Sequence, residues 1–269
     1  MSPSVTALGA RGGREFVAPG SVVRKIWGDA DLVLLVFAGS AAEFALNRAV
    51  DWLFFTGRIP ADPIGRLFST VRYAQEIVFA DEDAAARTLG QINAIHGGVE
   101  RQRGQRIPDW AYRDVLYMLV DYSERAHRLL YGPLDAAERE ELYAEFRRVG
   151  EGLNVRELPE GYARWQADRE AHLARDLAHS RHTALLYEQY RRHLGEWRYQ
   201  VLLQVQALLV PERVRRLLGL RRRAVFSALV GGYTQLQALG VRPLIRRLLI
   251  QPRYWGEVEK FDRGAAGRA

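Results

Sequence analysis

One histidine stands where a ligand-binding side chain could lie. His96 falls in the stretch QINAIHGGVERQRG (residues 91–104), at the apparent end of a helix. The residues that recur at intervals of three, four and three are Leu89, Ile92, His96 and Val99. This spacing puts His96 on the apolar face of that helix, where it could be a packed core residue or a ligand of a metal or haem iron. Gly97 and Gly98 suit either alternative, because they could admit a flat ring or form a helix C-cap.

Arg66 and Thr70 form a second candidate pair, in the segment ADPIGRLFSTVRYAQEIVFA (residues 61–80). Their i, i+4 spacing puts both on one helix face. An arginine can bind a propionate or another carboxylate, and a threonine hydroxyl can donate a hydrogen bond to bound oxygen or water. The same pair is also common on a solvated face, so the spacing alone leaves both interpretations open.

Two carboxylate–histidine pairs offer a competing arrangement. ERAH and DLAH each place an acid three residues before a histidine, and such pairs on separate helices resemble the ligands of di-iron carboxylate bundles. The candidate ligands are Glu124, His127, Asp176 and His179, with Glu43 and Glu76 as the remaining carboxylates. The aspartate in DLAH, where glutamate is usual, and the strongly charged helix around it argue against this alternative.

Composition excludes several classes of site. The chain of 269 residues has no cysteine, so disulfides, iron–sulfur clusters, zinc–thiolate sites and thiolate-bound haem are excluded. Met1 and Met118 are the only methionines, which leaves histidine or, less often, tyrosine as a haem ligand. G-x-S-x-G, phosphate-loop and G-x-G-x-x-G motifs are absent, so serine-hydrolase and nucleotide-binding interpretations fail.

Positive charge is concentrated near the C-terminus. Residues 211–254 contain ten arginines and one acid, a net charge of +9, while the whole chain carries +7. A non-enzymatic helical protein could dock on an acidic partner, anionic lipid or nucleic acid through such a face. Arginine dominates the basic residues throughout, however, and no recognition motif accompanies the charge, so we expect no nucleic-acid partner.

The elements that must position these residues are helices. Strand-type alternation is nearly absent, which predicts an all-α fold with a single multi-helix domain over 26–255, an irregular arm over 1–25 and a tail over 256–269. Asp62 and Asp135 are predicted N-caps, with Pro63 in the first turn. The apolar region 32–55 is interrupted by charged residues, which predicts a buried helix or helix pair without a transmembrane span. No signal-peptide pattern is present, so a cytoplasmic location is expected.

Several motifs in this order resemble a known family. WGD, DPIGRLFST, FADEDAAARTLGQINAIHGGV, IPDWAYRDVLYMLVD, GPLDAAEREELYAEFRRVGEGLNV and LLVPERVRRLLGL follow one another along the chain. They resemble the haem-oxygenase-type domain shared by bacterial latex-clearing proteins (rubber oxygenases) and the fungal mycophenolic-acid-pathway oxygenase. Each motif is loose, whereas their order and spacing together are fairly specific over roughly residues 26–255.

The resemblance implies an all-α oxygenase that binds haem b. It implies that His96 is the proximal iron ligand and that Arg66 and Thr70 lie on the distal or propionate side. Characterised relatives cleave an isoprenoid carbon–carbon double bond with dioxygen and give carbonyl products. The implied partners are therefore dioxygen and an apolar alkene.

The chain also departs from the family pattern. Ser69 stands where rubber-cleaving members have a lysine that can cap the iron, so a lysine-closed resting state is not expected. Rubber oxygenases also use a carboxylate upstream of the arginine, and Asp51 is the nearest candidate here, although its spacing does not match cleanly. Many relatives carry histidines before the arginine helix, and ALNRAVDWLFFTGRIP has none. Because secreted members have export signals and this sequence shows none, a small apolar substrate inside the cell is expected instead of a polymer.

Overall fold

The computed structural model describes residues 13–55, 62–236 and 242–262. Within these ranges the chain forms α-helices and one short 3-10 helix, with no β-strand. The α-helices are α1 (Val22–Trp27), α2 (Ala30–Phe44), α3 (Asp51–Phe55), α4 (Pro63–Val78), α5 (Glu82–Arg103), α6 (Asp109–Tyr131), α7 (Ala136–Gly152), α8 (Tyr162–Arg175), α9 (Arg181–Leu194), α10 (Glu196–Leu209), α11 (Glu212–Leu217), α12 (Ala224–Leu236), α13 (Arg242–Leu249) and α14 (Trp255–Phe261). The predicted all-α class is confirmed.

Helices α2 and α6 form the centre of the core. A Cβ atom added to Gly39 of α2 would lie 2.2 Å from the ring of Tyr122 in α6, so the two helices approach this closely because residue 39 has no side chain. Trp27 fills the adjacent space, and its indole Nε1 donates a hydrogen bond to Ser123 Oγ at 3.2 Å. The apolar region predicted as a buried helix or helix pair forms α2 and α3.

Short polar signals fix where two helices begin. Asp62 caps α4 by accepting a hydrogen bond from the Gly65 backbone N–H at 2.9 Å, and Pro63 is the first helical residue. Asp135 caps α7 in a capping box with Glu138. Both predicted N-caps are confirmed.

Helices α4 and α5 pack against each other and carry three candidate site residues, Arg66, Thr70 and His96. Burial of Phe68, Val71 and Val78 anchors α4 to the core. The prediction that a helix ends at His96 is wrong, because α5 continues for seven more residues to Arg103. Its C-cap is Gly104, whose φ of 69° is the left-handed conformation that glycine adopts readily.

Ordered structure extends into both predicted terminal segments. Phe16 and Val17 are buried, and α1 begins at Val22, inside the segment 1–25 that the sequence indicated as an irregular arm. At the other end, α14 runs into the predicted tail, and Phe261 is buried against the core. The described parts of both segments therefore pack on the helical domain.

None of the helices in the described parts of the chain is both long enough and apolar enough to cross a membrane.

Candidate functional site

His96 lies half-buried on α5, beside α6. Its imidazole ring centroid is 5.2 Å from that of Tyr112, with the two ring planes tilted by 49°. Burial lowers the pKa of His96; the Glu100 carboxylate opposes this shift and the Arg66 guanidinium adds to it. The imidazole is therefore neutral at neutral pH, which is the protonation state that can coordinate a metal ion.

Gly97 and Gly98 lie inside α5 and do not end it. A Cβ added at Gly97 would meet only the end of the Arg101 side chain, at 3.3 Å, and one at Gly98 would meet the same guanidinium at 3.9 Å. No neighbouring helix therefore requires the two glycines, although each weakens a helix interior by roughly 0.5–1 kcal/mol relative to alanine. Their effect is to leave the backbone next to His96 covered only by the flexible Arg101 side chain.

Arg66 lies on α4, near enough to His96 to affect the pKa of the imidazole. Its guanidinium makes no hydrogen bond or ion pair with the rest of the described chain, although the residue is half-buried. The hydroxyls of Ser69 and Thr70 both donate to the Arg66 carbonyl oxygen, at 2.8 and 3.1 Å. In this conformation Thr70, which is exposed, can accept a hydrogen bond from a ligand while its own hydrogen is engaged within the helix.

Asp51 is held in an ion pair. Its Oδ2 lies 2.6 Å from Nη2 of Arg103, whose guanidinium also lies 4.0 Å from the centre of the Trp52 ring. Arg103 is two helical turns beyond His96, about 10 Å along the helix axis. Asp51 is thus attached to the same helix as His96 without being brought next to it, and its catalytic role stays a prediction.

Glu100 and Tyr112 are neighbours of His96 that no sequence motif indicated. Glu100 Oε1 accepts hydrogen bonds from the Ile107 backbone N–H at 2.8 Å and from the Tyr112 hydroxyl at 3.3 Å. These bonds tie the loop after α5 and the start of α6 to the helix that carries His96. The i, i+4 spacing of His96 and Glu100 could have predicted that these two residues share a helix face. The contact with Tyr112 depends on tertiary packing and could not be predicted from spacing.

A second polar cluster is closed and fully buried. The Arg169 guanidinium of α8 pairs with both carboxylate oxygens of Glu43 at 2.5 and 2.6 Å, with Asp121 at 3.0 Å and with Asp114 at 3.4 Å. Tyr122 donates to Glu43 at 2.9 Å. These contacts join α2, α6 and α8, so we assign the cluster a structural role.

Two carboxyls of this cluster differ in their protonation. Burial and the Glu43 carboxylate raise the pKa of Asp114 from 3.8 to about 7. Burial also opposes ionisation of Asp121, but the guanidiniums of Arg169 and Arg125 outweigh it and lower the pKa of that carboxyl. Asp114 therefore holds a proton below neutral pH, while Asp121 stays ionised.

The residues of the di-iron alternative are not brought together. Glu43 pairs with Arg169, Glu124 accepts from the Tyr162 hydroxyl at 2.5 Å, and His127 Nδ1 lies 2.9 Å from the Gly132 carbonyl oxygen. Asp176 is paired with Arg175 at 2.8 Å. Across the described ranges, no group of three or more histidine, aspartate and glutamate side chains has the geometry of a metal site. The sequence spacing was misleading for DLAH because Asp176 and His179 lie in the non-helical segment between α8 and α9, and not on a charged helix as expected.

Many arginines of the basic C-terminal segment bind within the protein. Arg242 pairs with Asp29 at 3.2 Å, and Arg246 pairs with Asp31 at 3.2 Å and with Asp262 at 3.0 Å. These ion pairs fasten α13 to the start of α2. Much of the charge that suggested a docking face therefore holds the domain together.

The fold and this site define an all-α domain with a neutral histidine beside two helix-interior glycines. Comparison with protein families identifies the family. The family model described as "ER-bound oxygenase mpaB/B'/Rubber oxygenase, catalytic domain" matches residues 24–236. The chain belongs to this family and is an oxygenase, an oxidoreductase acting on a substrate and dioxygen. The resemblance found in the sequence is confirmed. Curated proteins and solved structures give no significant match.

Proposed function

We propose that this oxygenase depends on haem b and cleaves a carbon–carbon double bond of a small apolar alkene of isoprenoid type with dioxygen. The observation that carries the proposal is His96, a half-buried neutral imidazole beside two glycines that no protein contact requires. A structural histidine would explain the burial but not the pair of glycines beside it.

The residues around His96 fit a flat, dianionic cofactor. Gly97 and Gly98 would leave room at the helix face for a porphyrin once the flexible Arg101 side chain moves aside, and the Arg66 guanidinium, which has no partner among the described residues, could bind a propionate. Ile95, which is 42% exposed, adds apolar surface beside the histidine. When bound, haem would supply an iron centre able to bind and activate dioxygen.

The chain's own residues would have distinct tasks. His96 would coordinate the iron, and Arg66 would fix the orientation of the ring through a carboxylate. Glu100 and Tyr112 would hold the loop and helix that surround His96. Thr70 and Asp51 are the remaining candidates near the reaction: Thr70 as an acceptor toward bound water or substrate, and Asp51 as a carboxylate that must first leave Arg103.

The test is the absorption spectrum of the purified protein. We expect a Soret band that is lost in His96→Ala and retained in His127→Ala, with a pyridine haemochrome assay identifying haem b. His127 is the matched control because it is also a helical histidine and a candidate ligand of the di-iron alternative.

Two results would count against the proposal. A Soret band unchanged in His96→Ala would remove the ligand assignment, and about two irons per chain without porphyrin, lost in His127→Ala, would favour a di-iron enzyme. The substrate class has its own test. Incubation of the haem-loaded protein with short isoprenoid alkenes under labelled dioxygen should give carbonyl products in which each new oxygen carries the label.

A further inference from the structure

A separate cleft lies on the side of the domain formed by α9 and α10. Its volume is about 430 Å³, and the segment 218–223 that follows α11 lines one side of it. This volume is within the range of small-molecule sites. All its lining residues belong to α9, α10 and the segments next to them, and none belongs to α4 or α5. The cleft is therefore distinct from the surroundings of His96.

Three consecutive arginines at the mouth have different environments. The Arg222 Nε donates to the Ala207 carbonyl oxygen at 2.9 Å and so fixes the segment to α10. The Arg223 backbone N–H donates to Gln204 Oε1 at 3.2 Å. Gly219, with φ of 63°, makes the turn that brings the segment across. With Arg222 held internally, its neighbours Arg221 and Arg223 line the cleft.

The mouth of the cleft is cationic and lacks counter-charge. The side chains of Arg221, Arg223 and His179 are exposed and form no hydrogen bond or ion pair with other described residues. The lining contains no aspartate or glutamate. Arg221 and Arg223 line the same cleft, so their two guanidinium groups could bind one external anion together.

Part of the cleft wall is apolar. Leu203, Leu218 and Leu220 contribute aliphatic surface, and Tyr187 contributes an aromatic ring. The Tyr187 hydroxyl is already bonded to Gln206 Oε1 at 2.9 Å, which fixes the ring without using the cleft. A ligand that fits both parts must carry an anionic head and an apolar body.

We propose that this cleft is a binding site for a single-chain organic anion, with the carboxylate or phosphate head on Arg221 and Arg223 and the apolar chain against Leu203, Leu218 and Leu220. Guanidinium groups bind both kinds of head bidentately, so the head group must be identified by experiment. Binding at this site is independent of the haem and of the chemistry at His96.

The experiment is isothermal titration of the full-length protein as purified, with decanoate, decyl phosphate, decanol and acetate as ligands. We expect one site that binds decanoate or decyl phosphate and weakens with added salt, while decanol and acetate bind at least about tenfold more weakly. The preferred head group is the one that binds more tightly. In Arg221→Gln/Arg223→Gln we expect a loss of about tenfold or more, and Leu203→Gln should weaken the long-chain anions but leave acetate unchanged.

Arg87→Gln is the matched control, because Arg87 is also an exposed arginine with no ion pair among the described residues, but it lies on α5, outside the cleft. The proposal is overturned if neither long-chain anion binds at millimolar concentration, or if the Arg87 variant weakens binding as much as the double variant. Loss of the Soret band when decanoate is added would also overturn it, because the anion would then occupy the cofactor site. Absence of haem would leave the titration unaffected, so the two proposals fail separately.

Discussion

The Arg169 cluster and the His96 region use polar residues in opposite ways. Around Arg169, Glu43, Asp114 and Asp121 are buried and all are paired, so the charges are consumed in holding three helices together. Around His96, the imidazole is half-buried, the Arg66 guanidinium has no partner among the described residues, and the two helix-interior glycines meet only the flexible Arg101 side chain. Polar groups with satisfied bonds indicate structure, whereas polar groups left unpaired next to open space indicate a place for a ligand.

The largest effect is expected for Arg169→Met. Three carboxylates would then be buried without the guanidinium that pairs with them, which should cost about 3–5 kcal/mol of unfolding free energy in urea titration. Arg164→Met is the control, because the Arg164–Glu160 pair is exposed and such pairs contribute about 0–1 kcal/mol. Similar losses in the two variants would contradict the structural role of the buried cluster.

Asp114 should make stability depend on pH. Its carboxyl releases a proton near pH 3.8 in the unfolded chain and near 7 in the folded protein, so the folded state binds the proton more tightly between these values. Stability contributed by this group therefore falls as pH rises through that window, by up to about 1.4 kcal/mol per pH unit. We expect the parent protein to lose stability relative to Asp114→Asn between pH 4 and 7. A constant difference across that range would show that the carboxyl has no raised pKa.

Replacing a helical glycine with alanine should change stability in opposite directions in the two parts of the molecule. Gly39→Ala would force a Cβ against the Tyr122 ring and should destabilise the protein by about 1–3 kcal/mol. Gly98→Ala meets no such neighbour and should stabilise the cofactor-free protein by roughly 0.5–1 kcal/mol. Thermal unfolding measures both. If haem lies where we propose, Gly98→Ala should also lower haem occupancy. Destabilisation of the cofactor-free protein by Gly98→Ala would contradict the absence of a close neighbour at residue 98.

The smallest effect on stability is expected for Asp51→Asn. The pair with Arg103 is partly exposed, so its loss should cost about 1 kcal/mol or less. A large loss of oxygenase activity with unchanged haem content would establish a catalytic role for Asp51. Unchanged activity would restrict this carboxylate to its contact with Arg103.

Local sequence signals predicted the helical fold well. Asp62 with Pro63 and Asp135 with Glu138 act within one turn of the chain, so their pattern is sufficient to place α4 and α7. His96 was placed correctly on a helix, but the glycines after it were also compatible with a helix end. Continuation to Gly104 could not be read from them, because packing of α5 against its neighbours outweighs the weak propensity of two glycines.

The candidate site was predicted less completely, because its contacts join distant segments. Asp51 and Arg103 are 52 residues apart, and no periodic pattern relates them. The pairing of Glu43 with Arg169 spans 126 residues, so the sequence could equally offer Glu43 as a metal ligand. Residues that look interchangeable in the sequence acquire their roles from these long-range contacts.

The sequence by itself determined the helices, several of their caps, the absence of thiolate chemistry and the membership of an oxygenase family, because each depends on residue type and local spacing. The tertiary structure alone decided which charges are consumed within the protein and which stay available to a ligand. Arg66, Arg169 and Arg221 are the same residue type. In the structure, Arg66 lies near His96, Arg169 is buried among carboxylates and Arg221 lines a cleft. The physical reason is that burial and pairing set the cost of a charge, and both are properties of the folded chain.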